Sequence, residues 1–144
     1  MKKLVSMGLD DHVDKGLLVA RVGLGAMFMA HGWPKIVGGP EKWEKLGGAM
    51  TTFGIDFAPT FWGFMAAFAE FGGGLLLLAG FLTRPALALL IATMLVATAK
   101  HMVAGDGFRG WSHAAEALIM FAGLFLMGPG KLSLDHKLFG SDDD

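Results

Sequence analysis

Ionisable side chains stand inside stretches of this chain that are otherwise apolar. Arg21 and His31 lie in the first, Glu70 in the second, Lys100 and His101 in the third, and His113 and Glu116 in the fourth. In hydrocarbon each charged group costs about 2.5 to 3.5 kcal/mol, so such groups turn toward a bundle interior and pair. Glu116 follows His113 by three positions, which puts carboxylate and imidazole on one helical face and in position for proton exchange. Helical spacing alone also produces such pairs. A metal centre is not expected: a di-iron carboxylate bundle takes about four interior Glu and two His, and the apolar stretches hold only Glu70 and Glu116. Two of His31, His101 and His113 could ligate a haem, although no spacing demands it. The chain has no cysteine, which excludes disulfides, iron-sulfur ligation and a thiol relay. Electrons in any redox chemistry must then sit on a bound cofactor or a partner.

The elements that must position these residues are four spans, over residues 16–33, 61–80, 86–104 and 113–129. Each approaches the 17 to 25 residues, roughly, that cross a hydrocarbon core of about 30 Å. The expected fold is all-α: a four-transmembrane-helix antiparallel bundle with a short interfacial helix in the first connector. Residues 1–15 form a polar N-terminal segment, 16–135 the membrane domain and 136–144 a polar tail. Pro34 is expected to end the first span after Trp33. Pro85 suits the first turn of the third span, and the short link at 81–85 makes the second and third a hairpin. In the first connector, Trp43, Leu46, Met50 and Phe53 share one helical stripe over residues 40–53, which predicts a helix in the interface with Trp43 at headgroup depth. The apolar run leading to His31 and Trp33 lacks a small-residue cleavage site and reads as a retained span.

With four crossings both termini share one face, side A, and the connectors at 34–60 and 105–112 lie on side B. Lys2, Lys3, Lys15, Arg84, Lys131 and Lys137 fall on side A, against Lys35, Lys42, Lys45, Lys100 and Arg109 on side B. This excess favours cytoplasmic termini. Counted from side B, Arg21 is about 18 Å deep and Glu70 about 13 to 14 Å, which predicts a salt bridge between them. His31, Lys100, His101, His113 and Glu116 lie within about two turns of side B, a polar pocket with Lys35, Trp33 and Trp111 at its rim. Lys100 and His101 point about 100° apart, so one of the two faces inward. Lys35, Lys42 and Lys45 read as solvated anchors.

Composition agrees with a membrane protein. Hydrophobic residues make up 53% and charged residues 17%, and the mean hydropathy is +0.53, which leaves little polar surface to face water. A net charge of -1 supplies no field for nucleic acid. Asn, Gln and Tyr are absent, so buried hydrogen bonding falls to His, Trp, Ser, Thr and charged groups. Small residues at four-residue spacing, such as Gly16 with Ala20 and Ala69 with Gly73, allow close helix contact in lipid, within one chain or between copies.

Arg21 to Gly25 leading into Ala30-His31-Gly32-Trp33 with Lys35, then Ala69-Glu70-Phe71-Gly72-Gly73 and Leu82-Thr83-Arg84, occur in an order that resembles the DoxX family of small four-helix membrane proteins. The span holding Glu116 and the exit Gly128-Pro129-Gly130-Lys131-Leu132-Ser133-Leu134-Asp135 extend the likeness over about residues 17–135. The resemblance implies a polar core of Arg21, His31, Lys35, Glu70 and Glu116. It also implies residence in the bacterial or archaeal inner membrane beside quinone-linked or oxidative-stress redox systems. Two function classes follow. In one, the pocket holds a small redox molecule such as a quinone, with electrons from other membrane or redox subunits. In the other, the chain is a noncatalytic assembly or structural subunit, or self-associates, and the charges only fix the bundle. A small-solute transporter is a further alternative. A family likeness does not transfer a reaction.

Overall fold

The computed structural model describes residues 9–140. Seen among these residues are α1 (Leu9–Ile36), α2 (Gly39–Gly47), a 3-10 helix (Gly48–Phe53), α3 (Pro59–Ala79), α4 (Thr83–Ala104), α5 (Gly107–Met127) and α6 (Leu134–Phe139), with no strand. Three helices, α3, α4 and α5, are long and apolar enough to cross a membrane. α1 lies along α3, α3 against α4, and α4 against α5, whereas α1 and α5 touch over little of their length. Leu77, Leu87, Leu90, Phe121 and Leu124 fill the centre where the four long helices converge. The outer surface is also apolar, with Val19, Met27, Leu95, Val103, Ile119 and Leu126 exposed, as expected of a surface solvated by lipid tails rather than water.

Two expectations about the first connector change. α1 does not stop at Trp33; Pro34 lies inside it and the helix runs on to Ile36. Proline lacks the N–H that would reach the Ala30 carbonyl, but the next turn closes, with the Val37 N–H donating to the Trp33 carbonyl at 3.1 Å. The Trp43 indole N–H then donates to the Lys35 carbonyl at 2.9 Å, satisfying one of the acceptors that a helix end leaves open. Trp43 is half-buried, its ring edge-on to Phe64 at 5.0 Å.

The single helix expected over residues 40–53 is divided. α2 ends at Gly47 and a 3-10 helix follows, closed by Gly54 in the left-handed region at φ 73°. Paired glycines disfavour helix continuation, and packing gives them a purpose. A Cβ on Gly47 would strike the Pro59 carbonyl, and one on Gly63 would strike the Trp43 carbonyl. The absence of those atoms lets α2 lie directly on the first half of α3. The same device joins α1 to α3, where Gly25 faces Gly74 and Gly32 faces the backbone of Glu70 and Phe71.

Pro85 sits in the first turn of α4, in keeping with its sequence position. Leu82, just before that helix, adopts a left-handed conformation at φ 46°, which is uncommon for a branched side chain. Its amide and that of Thr83 donate to the two Asp135 carboxylate oxygens at 2.7 and 2.8 Å.

Candidate functional site

The polar residues separate into three groups. Arg21 and Glu70 are both buried, at 1% and 4% exposure, but they do not pair. Arg21 lies well past Glu70 toward the end at which α3 meets α4. Its guanidinium donates to the Leu77 carbonyl at 3.5 Å and the Leu132 carbonyl at 2.5 Å. The expected pairing fails because α1 and α3 are staggered: α1 ends four residues past Gly32, whereas Glu70 is eleven residues into α3. Gly32 lies beside Glu70 and Gly25 beside Gly74, so Arg21 is about three turns past Glu70.

Arg21 instead belongs to a clasp around the chain leaving α5. The Asp135 N–H donates to the Gly80 carbonyl at 2.8 Å, while its carboxylate caps α4 through Leu82 and Thr83. Asp14, on α1, accepts the Lys131 N–H at 2.7 Å. Burial pushes the Asp135 carboxyl up, but the Thr83 and Leu82 amides together with the Arg21 charge outweigh it and hold the group below its ordinary value. Asp135 was absent from the expected site. Its signal was the polar turn Ser133-Leu134-Asp135, whose folding back onto a distant helix start is not marked by any periodicity.

Glu70 is claimed by Lys35, whose ammonium donates to Oε1 at 2.7 Å and Oε2 at 2.5 Å. The extension of α1 through Pro34 makes this possible: Lys35 remains helical and swings inward, and is not the solvated anchor its sequence position suggests. Gly32 leaves room for the Glu70 backbone at the same level. Glu70 is eleven residues into α3, about 16 Å from its start, so the ion pair lies near the middle of that helix.

The Lys35 and Glu70 side chains line one wall of a cavity of about 470 Å³. Leu46 and Met50 from the first connector, Trp62, Met65 and Ala66 from α3, and Leu89, Thr93 and Val96 from α4 make up much of the rest. The lining is mostly apolar. The Trp62 indole N–H is buried without a hydrogen-bond partner, a costly state for a donor. Lys100 and His101 both border the cavity. Lys100 is exposed and His101 half-buried, with His101 Nδ1 at 2.6 Å from Asp106 Oδ2. The expectation that one of the two turns inward gives way to two rim residues.

His31, His113 and Glu116 are not part of this cavity. All three are exposed, on the face between α1 and α5, where the His31 and His113 rings are 5.9 Å apart. The pocket expected from depth alone merged two opposite faces of the molecule, because distance along a helix axis carries no information about direction around it. Among the described residues, no group of three His, Cys, Asp or Glu is arranged to hold a metal ion.

The family model for DoxX matches residues 16–103. The inner membrane protein YqjF of Escherichia coli strain K12 is similar, 35% identical over 131 residues that cover 87% of this chain and 93% of that protein. No solved structure matches the chain.

Proposed function

Because the chain belongs to the DoxX family of integral membrane proteins, we propose that it is an inner-membrane, redox-associated subunit that binds a quinone-like molecule in the cavity beside Lys35 and Glu70. In this reading α1 is the fourth span, both termini face the cytoplasm, and another membrane or redox subunit supplies electrons. The inner-membrane placement draws on the name of the Escherichia coli relative.

The observation that carries the reading is the Lys35–Glu70 ion pair set in the wall of a mostly apolar cavity that Trp62 also lines. The Trp62 indole N–H has no partner among the described residues and is closed off from solvent, so a turn of its ring would present a free donor to an acceptor in the cavity, and a quinone offers a flat apolar ring with a carbonyl at each end. Trp62, so turned, would bind one carbonyl. The Lys35 ammonium, already held by Glu70 and still part-exposed at the cavity wall, would bind the other and orient the ring between them. Met65, Leu89 and Val96 exclude water from the ring faces. A bound quinone would supply two-electron chemistry, for which this chain has no group of its own. Glu70 holds the Lys35 ammonium in place at the cavity wall.

The test is retention. Protein extracted directly into lipid nanodiscs is expected to carry quinone, measured by solvent extraction and mass spectrometry, in excess of empty discs from the same membranes. Trp62→Phe is expected to lower the retained quinone about tenfold, since a hydrogen bond in a dry site contributes roughly 1 to 1.5 kcal/mol. Ala66→Phe, which fills the cavity, is expected to abolish retention. Wild-type protein that holds no more quinone than empty discs, before and after incubation with a short-chain quinone, would sink the proposal and favour a purely structural subunit.

A further inference from the structure

Glu116 presents a problem that the cavity does not solve. It is nine residues into α5, about 13 to 14 Å from the helix start, in one of the helices long and apolar enough to cross a membrane. It is exposed there, and no hydrogen bond or ion pair reaches it from the described residues. It lies about one and a half turns beyond Trp111, within the apolar stretch of the helix, where the carboxyl finds no partner among lipid tails and is unfavourable without one.

The surroundings show what would satisfy it. His113 lies one turn away toward the start of α5, and the His31 ring is 5.9 Å from the His113 ring, so two imidazoles and one carboxyl share a single exposed face. An imidazole carries at least one N–H donor in every protonation state, and a carboxylate accepts. The face is thus complementary to itself. Copies inserted in the same orientation are related by a two-fold axis along the membrane normal, which brings each residue opposite residues of equal depth. His31, His113 and Glu116 fall within about one helical turn of depth. Further along the same side of α5 come Met120, which is exposed, and Gly123, which has open space where a Cβ would be. Gly23 on α1 has the same open space. Small residues of this kind allow a second backbone to approach closely in lipid.

We infer that the face between α1 and α5 is covered by the same face of a second copy, with Glu116 of each chain hydrogen-bonded to His31 or His113 of its partner. The interface is isologous and lies away from the cavity, so each copy keeps its own ligand site.

The absence of cysteine from the chain makes the test direct. Single-cysteine variants in lipid bilayers at low protein density, oxidised with copper phenanthroline, are expected to give covalent dimers for Met120→Cys and none for Leu95→Cys, which is exposed on α4. Dilution with lipid, followed by energy transfer between labelled copies, is expected to show at least a tenfold weaker association for Glu116→Gln and for the double variant His31→Leu, His113→Leu. Thermal stability at high dilution reports whether these variants fold. A folded Glu116→Gln protein that associates as tightly as wild type would overturn the inference. So would a monomeric wild-type protein in bilayers, equal cross-linking through Leu95→Cys, or cross-links only to a chain of different mass. Quinone retention by Glu116→Gln is expected to equal wild type, which separates this test from that of the cavity.

Discussion

Lys35 and Glu70 form an ion pair whose two members are unequally buried, with side-chain exposures of 29% and 6%. That inequality sets the sign of a mutational comparison. Lys35→Met strands a carboxylate near the middle of α3 and is expected to destabilise by about 3 kcal/mol or more. Glu70→Gln leaves an ammonium that can turn toward the cavity mouth, at roughly half that cost. The double variant Lys35→Met, Glu70→Leu should recover most of the loss. Thermal unfolding in detergent, with the double-mutant cycle completed, checks all three. Asp135 supplies a pH prediction. Its folded pKa is depressed, so its contribution is present above the unfolded pKa and disappears as pH falls through the folded one. Melting temperature should therefore fall with acid below the ordinary carboxylate range, and the Asp135→Asn protein should lose that part of the slope. At neutral pH, Asp135→Ala should cost about 1 to 2 kcal/mol through the uncapped α4. The sequence marked Arg21 and Glu70 as special by residue type and surroundings, but not whom they would meet. Pairing depends on a helix register that is set by Gly25, Gly32 and Gly74, and an error of about two turns in the relative level of two helices exchanges one partner for another.

At the scale of elements, the boundaries of α3 and α4 and the end of α5 were legible because breakers bracket them: Pro59 at one start, Pro85 in another first turn, and Gly80, Gly105 and Gly128 at the ends. The start of α5 was not, since the helix begins at Gly107, within the connector expected over residues 105–112. Nor was the end of α1. Proline usually argues for a stop, and the feature that carries the helix beyond it, the Trp43 indole on the Lys35 carbonyl, comes from a residue eight positions away. Division of the connector helix at Gly47 was likewise hidden, since an apolar stripe records one face and not whether the helix continues. The contact between α2 and α3 is expected to be intolerant of bulk. Gly63→Ala should lower the melting temperature, with an overpacking cost of about 1 to 3 kcal/mol, and should disturb the cavity that α2 helps to wall. Gly16→Ala, where nothing lies within 4 Å, should be neutral or slightly stabilising.

For the whole molecule, the four long helices form a ring in which α1 to α3, α3 to α4 and α4 to α5 pack closely, while α5 meets α1 through large side chains, Phe121 on Phe28 and His113 beside His31. Alternation of polar and apolar residues could place His31, His113 and Glu116 in helices, but it could not reveal which side of the ring they occupy. The structure separates a cavity on one flank from an unsatisfied carboxyl on the other, and each makes its own demand of the surroundings. The clasp in which Asp14 grips the Lys131 amide has one more consequence. Because the beginning of the first long helix and the chain leaving the last are tied together, a peptide joining two copies in tandem stays in one aqueous compartment. Such a concatemer would hold its halves parallel, and would permit a lesion to be placed in either half alone.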